Sequence, residues 1–221
     1  MLIERLNQTI YKINFSRFYM KKIFRPLIHE LKHHLPFTSL ATLFAIIVTL
    51  IVIIYSISIN EIVFESFHVI HLIASSIVSA AIFYKYNKNP VYAFFVGVFG
   101  AIIIGSLSDI IFPWLGSIIF GLDTHFHLPL IEMPLIIFLT SGIGSLIGIL
   151  TLKTKIPHIF HVGISVFASL FYLLTYTSQI NLLFFFLSFL IVLISVIIPC
   201  CISDILFPFF FLGKKIKNCN C

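Results

Sequence analysis

Six long apolar stretches limit this chain more than any other feature of its sequence. They cover residues 37–58, 63–84, 91–112, 131–152, 157–177 and 180–212. About 20 apolar residues in a helix are enough to cross the hydrocarbon core of a bilayer. Backbone polar groups in lipid must be satisfied within the segment, which favours helices. With 60% hydrophobic and 10% charged residues, the chain is predicted to be an all-α polytopic membrane protein with six transmembrane helices.

The basic residues predict the orientation of these helices. Seven of the 14 Lys and Arg fall in residues 1–35, and the rest form pairs or triplets at 85 and 88, 153 and 155, and 214–217. With six spans, these four clusters lie on one side of the bilayer, and the positive-inside rule makes that side cytoplasmic. We therefore expect a multi-pass membrane protein with both termini cytoplasmic and residues 113–130 outside. The asymmetry accounts for the net charge of +6, so a nucleic-acid partner is not expected.

Four regions follow from this topology. Residues 1–35 form a basic amphipathic helix on the cytoplasmic face, attracted to anionic lipid. Residues 36–122 are a first transmembrane repeat, 123–213 a second, and 214–221 a cytoplasmic tail. The four cysteines are predicted to lie near the reducing side, which argues against disulfides. Cys219 and Cys221 in the tail are a weak signal for a soft metal or a lipid, and incidental thiols are the simpler interpretation.

A His-x-x-His pattern is repeated within the chain. His68 and His71 recur 90 residues later as His158 and His161. Two serines follow each pair at the same spacing, so the shared positions are i, i+3, i+7 and i+11. That spacing places all four on one face of a helix. The shared serines are Ser75 and Ser165, and Ser79 and Ser169.

Two further matches extend the repeat. Ser108-Asp109 precedes Ile-Ile-Phe-Pro, and Ser203-Asp204 precedes Ile-Leu-Phe-Pro 95 residues later. His-Leu-Pro opens both the first and the fourth spans, 93 residues apart. Residues 34–116 therefore match 127–213, and each copy holds three spans. Because three is odd, the second copy enters the membrane from the opposite side, which is the inverted repeat common among transporters.

Histidine and aspartate in these spans predict metal or proton chemistry. An ionisable residue inside a bilayer costs several kcal/mol and needs a partner or a function. Imidazole nitrogen and carboxylate oxygen are ligands for zinc and its neighbours. Counting along the helices favours two sites, one near each face. The predicted ligands are His68, His71 and Asp109 on the outer side, and His158, His161 and Asp204 on the inner side. In the alternative interpretation, the His pairs arise by chance and the aspartates cap half-helices.

Other polar residues are candidates for the path and its entrance. Path-lining or supporting roles are predicted for Ser75, Ser79, Ser108, Ser165, Ser169, Ser203, Glu65 and Glu132. External capture is predicted for Asp123, His125 and His127, with ordinary loop polarity as the equal alternative. Pro113 is expected to break the third span just after Ser108-Asp109. The glycine-rich segment 141–148 is interpreted as helix packing.

These features favour a transporter or channel for a divalent transition metal, zinc or similar, with coupling to protons through imidazole. One alternative is a membrane-embedded metalloenzyme, whose metal keeps an open position. Another is a structural or partner-binding membrane subunit that uses the basic N-terminal helix. The bilayer and a metal ion or proton are the expected partners, and a homo-oligomer is compatible with the sequence.

Overall fold

The computed structural model describes residues 35–55, 58–152 and 155–201, together with 207 and 211; the side chains of 155–159, 200 and 201 are not described. The described residues form helices and contain no strand beyond one isolated bridge. The predicted N-terminal helix and cytoplasmic tail lie outside them. The helices are α1 (Leu35–Ile54), α2 (Glu61–Tyr86), α3 (Pro90–Ser106), α4 (Phe112–Ile119), α5 (Pro129–Glu132), α6 (Pro134–Thr151), α7 (Lys155–Tyr176) and α8 (Leu182–Cys201).

Five helices in the described part of the chain are long and apolar enough to cross a membrane. They are α1, α2, the continuous helix Pro90–Ile119, α6 and the part of α8 from Leu182 to Pro199. The remaining predicted span, 157–177, coincides with α7, whose described apolar part, Phe160–Tyr176, is shorter than the other five. The prediction of an all-helical protein with several helices able to cross a membrane is therefore confirmed, and the sixth span stays a prediction.

The helix that forms the third predicted span continues past Pro113, where the sequence predicted a break. One π-helical turn, Leu107–Ile111, joins α3 to α4, and the amide of Phe112 reaches back to the carbonyl of Leu107. Pro113 has no N–H, so it cannot continue the hydrogen-bond ladder. The wider turn accommodates this defect, and the helix continues to Ile119; single π turns of this kind are frequent at functional sites. The prediction of a break at Pro113 is therefore wrong.

Glycines let α6 pack closely against α2. A Cβ at Gly144 would meet the backbone of Ile73, and one at Gly148 would meet the backbone of Ile77. Small residues give this close approach between helices in membrane proteins, and the packing interpretation of segment 141–148 is confirmed. Helix α1 packs against α7, with the ring centroids of Phe44 and Phe167 6.4 Å apart.

Helices α2 and α7 run antiparallel through the centre of the bundle. Their ring contacts step in opposite directions along the two helices. Phe64 meets Tyr172 with ring centroids 5.3 Å apart, and Phe67 meets Phe171 at 4.9 Å. Further along α2, His71 meets His161 at 5.6 Å. The interface between α2 and α7 therefore continues from the start of α2 into its middle.

The start of α2, the 120–128 loop and the end of α7 meet at one end of the bundle, called here the Glu61 end. Thr124 and Thr177 form an antiparallel bridge, and the amide of His125 donates to the carbonyl of Tyr176 at 2.9 Å. The α2–α3 connection, with Lys85 and Lys88, lies at the other end of α2, called the Lys85 end.

Candidate functional site

Asp109 is the centre of a buried group of polar side chains, called here the interior cluster: His68, His71, Ser108, Asp109, His161 and Ser165. Each of these residues is at most 1% exposed. Helix α2 supplies the first two histidines, the π turn supplies Ser108 and Asp109, and α7 supplies the other two. Because His68 and His71 are three residues apart on a helix, their rings project to the same side.

The carboxylate of Asp109 has four hydrogen-bond partners. Its Oδ2 lies 2.8 Å from His68 Nδ1 and 2.7 Å from His71 Nδ1. Its Oδ1 accepts from the hydroxyls of Ser108 and Ser165, each at 2.8 Å. A buried charge is tolerated when its lone pairs are satisfied in this way. The carboxylate therefore fixes the position of both imidazole rings.

This arrangement determines which imidazole nitrogen is available to a ligand. An ionised carboxylate can only accept, so Nδ1 of His68 and Nδ1 of His71 must both carry the hydrogen. In a neutral imidazole the Nε2 atom then keeps its lone pair. His71 Nε2 is buried and has no hydrogen-bond partner among the described residues. A carboxylate that orients metal-binding histidines through their other nitrogen is a recurrent arrangement around metals. The geometry thus gives Asp109 a supporting position behind the imidazoles, where the sequence predicted a direct ligand.

His161 joins the same cluster. Its ring is nearly parallel to that of His71, with an interplanar angle of 5°, and the side chain is fully buried. The prediction that placed His161 in a separate site near the inner face is therefore wrong. The error came from ending the third span at Pro113. The helix in fact continues to Ile119, so Asp109 lies about 15 Å before its end at 1.5 Å per residue, well inside the bundle.

The π turn is itself held by a serine of α7. Pro113 leaves the carbonyl of Ser108 without its backbone donor, and the hydroxyl of Ser169 lies 3.0 Å from that carbonyl oxygen. The N-cap position of α4 is Ile111, and the hydrogen bonds described for both oxygens of Asp109 go to other side chains. The alternative that Asp109 is a helix cap is therefore contradicted.

A stripe of polar residues runs along α2 beyond the cluster. Toward the Lys85 end, the hydroxyls of Ser75 and Ser79 are buried and have no partner among the described residues. Toward the Glu61 end, Glu65 is 18% exposed and Glu61 is 52% exposed. From Glu61 to Ser79 the stripe is about 27 Å long at 1.5 Å per residue, close to the roughly 30 Å thickness of the bilayer core.

A second group of polar residues, called here the Glu61 cluster, lies at the more exposed end of that stripe. His127 Nε2 is 3.5 Å from Glu61 Oε1 and 3.6 Å from Glu65 Oε1, and His127 Nδ1 is 3.0 Å from Glu132 Oε1. The hydroxyl of Tyr176 donates to Glu61 Oε1 at 3.2 Å. Among the described residues, Glu61, Glu65 and His127 form a group whose ligand atoms all lie within 4.8 Å of one another. This group could hold a metal ion.

The residues predicted for external capture separate in the structure. His127 belongs to the Glu61 cluster. Asp123 is exposed and accepts from the hydroxyl of Ser178 at 2.9 Å, and His125 is exposed and contributes its backbone to the contact between the loop and α7. Both therefore hold the loop in place outside the cluster.

Glu61 and Tyr176 belong to the Glu61 cluster although no site role was predicted for them. The signal for Glu61 was present, since Glu61, Glu65 and His68 are spaced at i, i+4 and i+7 and continue the stripe of histidines and serines. Tyr176 comes from a distant helix and carried no such signal.

Part of the predicted second triad falls outside the described residues. Asp204 and Ser203 lie there, and of His158 only the backbone in α7 is described. Their predicted roles stay predictions. Comparison with models of known families, with curated proteins and with solved structures finds no match to this chain. The geometry of the two clusters is thus the basis for any functional conclusion.

Proposed function

We propose that the protein moves a divalent transition metal ion, zinc or one similar to it, across a membrane along the interface of α2 and α7. The observation that carries this proposal is His71 Nε2, a buried lone pair with no partner among the described residues, held by Asp109 through Nδ1 at 2.7 Å. His68 is oriented by the same oxygen, and His161 lies beside His71. Imidazole nitrogen is a preferred ligand of zinc, copper and iron.

Charge supports a cation as the cargo. One carboxylate with neutral imidazoles gives the interior cluster a net charge of −1, and a positive charge in the same site would stabilise it beyond what its hydrogen bonds provide. A metal ion on the Nε2 side or a proton on an imidazole supplies that charge. Since a protonated imidazole does not bind metal, the two cations compete for the site, and coupling of metal transport to protons is part of the proposal.

The polar stripe on α2 supports movement across the whole membrane. It leads from the exposed Glu61 end, through the buried cluster, to the buried hydroxyls of Ser75 and Ser79, which have no partner in the described part of the chain. The partner stripe on α7 runs the opposite way and contributes Ser169, Ser165 and His161. In this proposal the Glu61 end faces outside and the basic Lys85 end faces the cytoplasm.

The inverted repeat is part of the proposal and has packing support. His71 and His161 occupy equivalent positions in the two predicted copies, and their rings stack on each other. Residues on a pseudo-two-fold axis contact their own equivalents in this way. The pairing of α6 with α2 and of α1 with α7 is also reciprocal between the copies.

Zinc flux into liposomes tests the proposal. Purified protein is reconstituted, zinc is added outside, and a zinc-sensitive dye inside records entry. We expect entry with the wild type and at least a tenfold slower rate with His71→Ala. His125→Ala is the matched control, because His125 is exposed and outside both clusters. Equal rates for the wild type and His71→Ala would contradict the proposal.

One observation favours the metalloenzyme as a second candidate. His68, His71 and His161 lie together in one cluster, as the ligands of a catalytic metal would. An enzyme would retain zinc in stoichiometric amount and carry none across the bilayer. Elemental analysis of the wild type beside a His71→Ala, His161→Ala double variant, combined with the flux assay, separates the two functions. A higher zinc content in the wild type than in the double variant, with no flux, would favour the enzyme.

A further inference from the structure

We infer that the Glu61 cluster is a second metal-binding site, in which Glu61, Glu65 and His127 bind a divalent transition metal from the aqueous side. The binding itself stands on the geometry of this cluster. Only its role as the place where cargo enters rests on the proposed function.

The ligand atoms of the three residues all lie within 4.8 Å of one another. His127 Nε2 is 3.5 Å from Glu61 Oε1 and 3.6 Å from Glu65 Oε1. These separations are too long for good hydrogen bonds. Ligand atoms placed tetrahedrally about 2.1 Å from zinc are separated by about 3.4 Å. The two separations from His127 Nε2 therefore match those around a tetrahedral zinc ion.

His127 points its free lone pair into this site. The residue is 8% exposed, and its Nε2 atom has no hydrogen-bond partner among the described residues. Nδ1 lies 3.0 Å from Glu132 Oε1, so Glu132 stands behind the imidazole as Asp109 does in the interior cluster. The ring is also stacked on Tyr176, with centroids 4.7 Å apart. The imidazole is thus fixed with Nε2 facing the two carboxylates.

The carboxylates are positioned by other groups. Glu61 and Glu65 are four residues apart on α2, so both project to the same side of the helix. Tyr176 donates to Glu61 Oε1 at 3.2 Å. Without a cation, three glutamates around one imidazole repel one another. A divalent ion removes that repulsion.

The chemistry of the ligands selects the class of ion. One imidazole with two carboxylates suits zinc, manganese or iron better than calcium or magnesium, which prefer oxygen ligands alone. Glu61 is 52% exposed and Glu132 is 55% exposed, so the site opens to water. Three protein ligands and an open position allow an ion to bind and leave.

Zinc titration of the full-length protein in detergent, against a competing chromophoric chelator, tests this site. A Glu61→Gln, Glu65→Gln double variant and His127→Gln each remove direct ligands, and we expect at least a 100-fold loss of affinity for one zinc per chain. Glu132→Gln keeps all three ligands, and we expect a 10- to 100-fold loss. Asp123→Asn, at the same end but bonded to Ser178, is the matched control with wild-type affinity. If His127→Gln does not fold, Glu132→Gln tests the role of the His127 imidazole in its place.

The outcomes separate this site from the proposed function. Unchanged zinc affinity in both the double variant and Glu132→Gln would overturn the site and leave a structural ion pair. Loss of affinity in these variants, with binding retained in His71→Ala, supports it. Zinc binding at the Glu61 cluster without zinc flux in liposomes would refute transport while leaving this inference intact.

Discussion

Replacing Asp109 with Asn tests the role of the interior carboxylate most sharply. Asn has the same shape but offers one acceptor and one NH₂ donor in place of two acceptors. If its oxygen faces Ser108 and Ser165, its NH₂ faces His68 Nδ1 and His71 Nδ1. Both rings must then accept at Nδ1 and carry their hydrogen on Nε2, which removes the lone pairs that bind metal. A wrong tautomer of this kind lowers the activity of serine proteases about 10⁴-fold.

The opposite orientation of Asn is milder. Its oxygen accepts from both imidazoles, and its NH₂ donates to the two serine hydroxyls. Ser108 can then donate to the carbonyl of Gly105, 3.3 Å away. The tautomers survive, but the negative charge behind the imidazoles is lost in either orientation. Loss of such a supporting group lowers metal affinity about 10- to 100-fold, which corresponds to about 1.4–2.8 kcal/mol.

Folding should survive the Asn substitution. Hydrogen bonds to a neutral amide are weaker than those to a carboxylate, but the cost of burying a charge disappears. Because these effects oppose each other, we expect the free energy of unfolding to change by less than about 2 kcal/mol.

Zinc affinity is measured by competition with a chelator in the Glu61→Gln, Glu65→Gln background, which isolates the interior cluster. Thermal unfolding in detergent is recorded on the same samples, with Asp123→Asn as the control. An Asp109→Asn protein with wild-type zinc affinity and a normal unfolding temperature would refute the supporting role of this carboxylate.

Three further predictions follow from the packing and the topology. Ser165→Ala removes one of the four donors to Asp109 and should lower the free energy of unfolding by about 1.5–3 kcal/mol. Ser188→Ala, at a buried hydroxyl with no partner among the described residues, should be nearly neutral in thermal unfolding. Equal effects of the two variants would contradict the hydrogen-bond network around Asp109. Gly148→Ala places a Cβ against the backbone of Ile77 and should destabilise the protein by about 1–3 kcal/mol. Gly163→Ala, whose Cβ would have no described atom within 4 Å, should not, and a stable Gly148→Ala protein would contradict the close approach of α6 and α2. The orientation is tested by single cysteines in a variant whose four native cysteines are replaced by Ser. An impermeant thiol reagent added outside intact cells should label His125→Cys and not Asn87→Cys. The reverse labelling would contradict the proposed orientation.

Hydropathy predicted the helices well because it depends only on local sequence. The segment 63–84 became α2, Glu61–Tyr86, and 131–152 became α6, Pro134–Thr151. The stripe of His68, His71, Ser75 and Ser79 was also visible, because helical spacing alone places these residues on one face. All four are buried.

The contacts between helices could not be predicted in the same way. In lipid, the surfaces that face the bilayer and those that face another helix are equally apolar, so hydropathy does not distinguish them. The stacking of His161 on His71 and the approach of His127 to Glu61 both join distant parts of the chain. The π turn was missed because proline in a sequence predicts a defect in a helix, without specifying how the helix accommodates it.

The location of zinc in a crystal of the protein tests the central claim most directly. An anomalous difference map recorded at the zinc absorption edge, from crystals of the Glu61→Gln, Glu65→Gln variant soaked in zinc, shows where the ion binds in the interior. We predict a peak about 2.0–2.1 Å from His71 Nε2, with both Asp109 oxygens still bonded to their present donors. An interior without a peak in zinc-saturated crystals, or a peak on the Asp109 oxygens with the imidazoles displaced, would contradict the account.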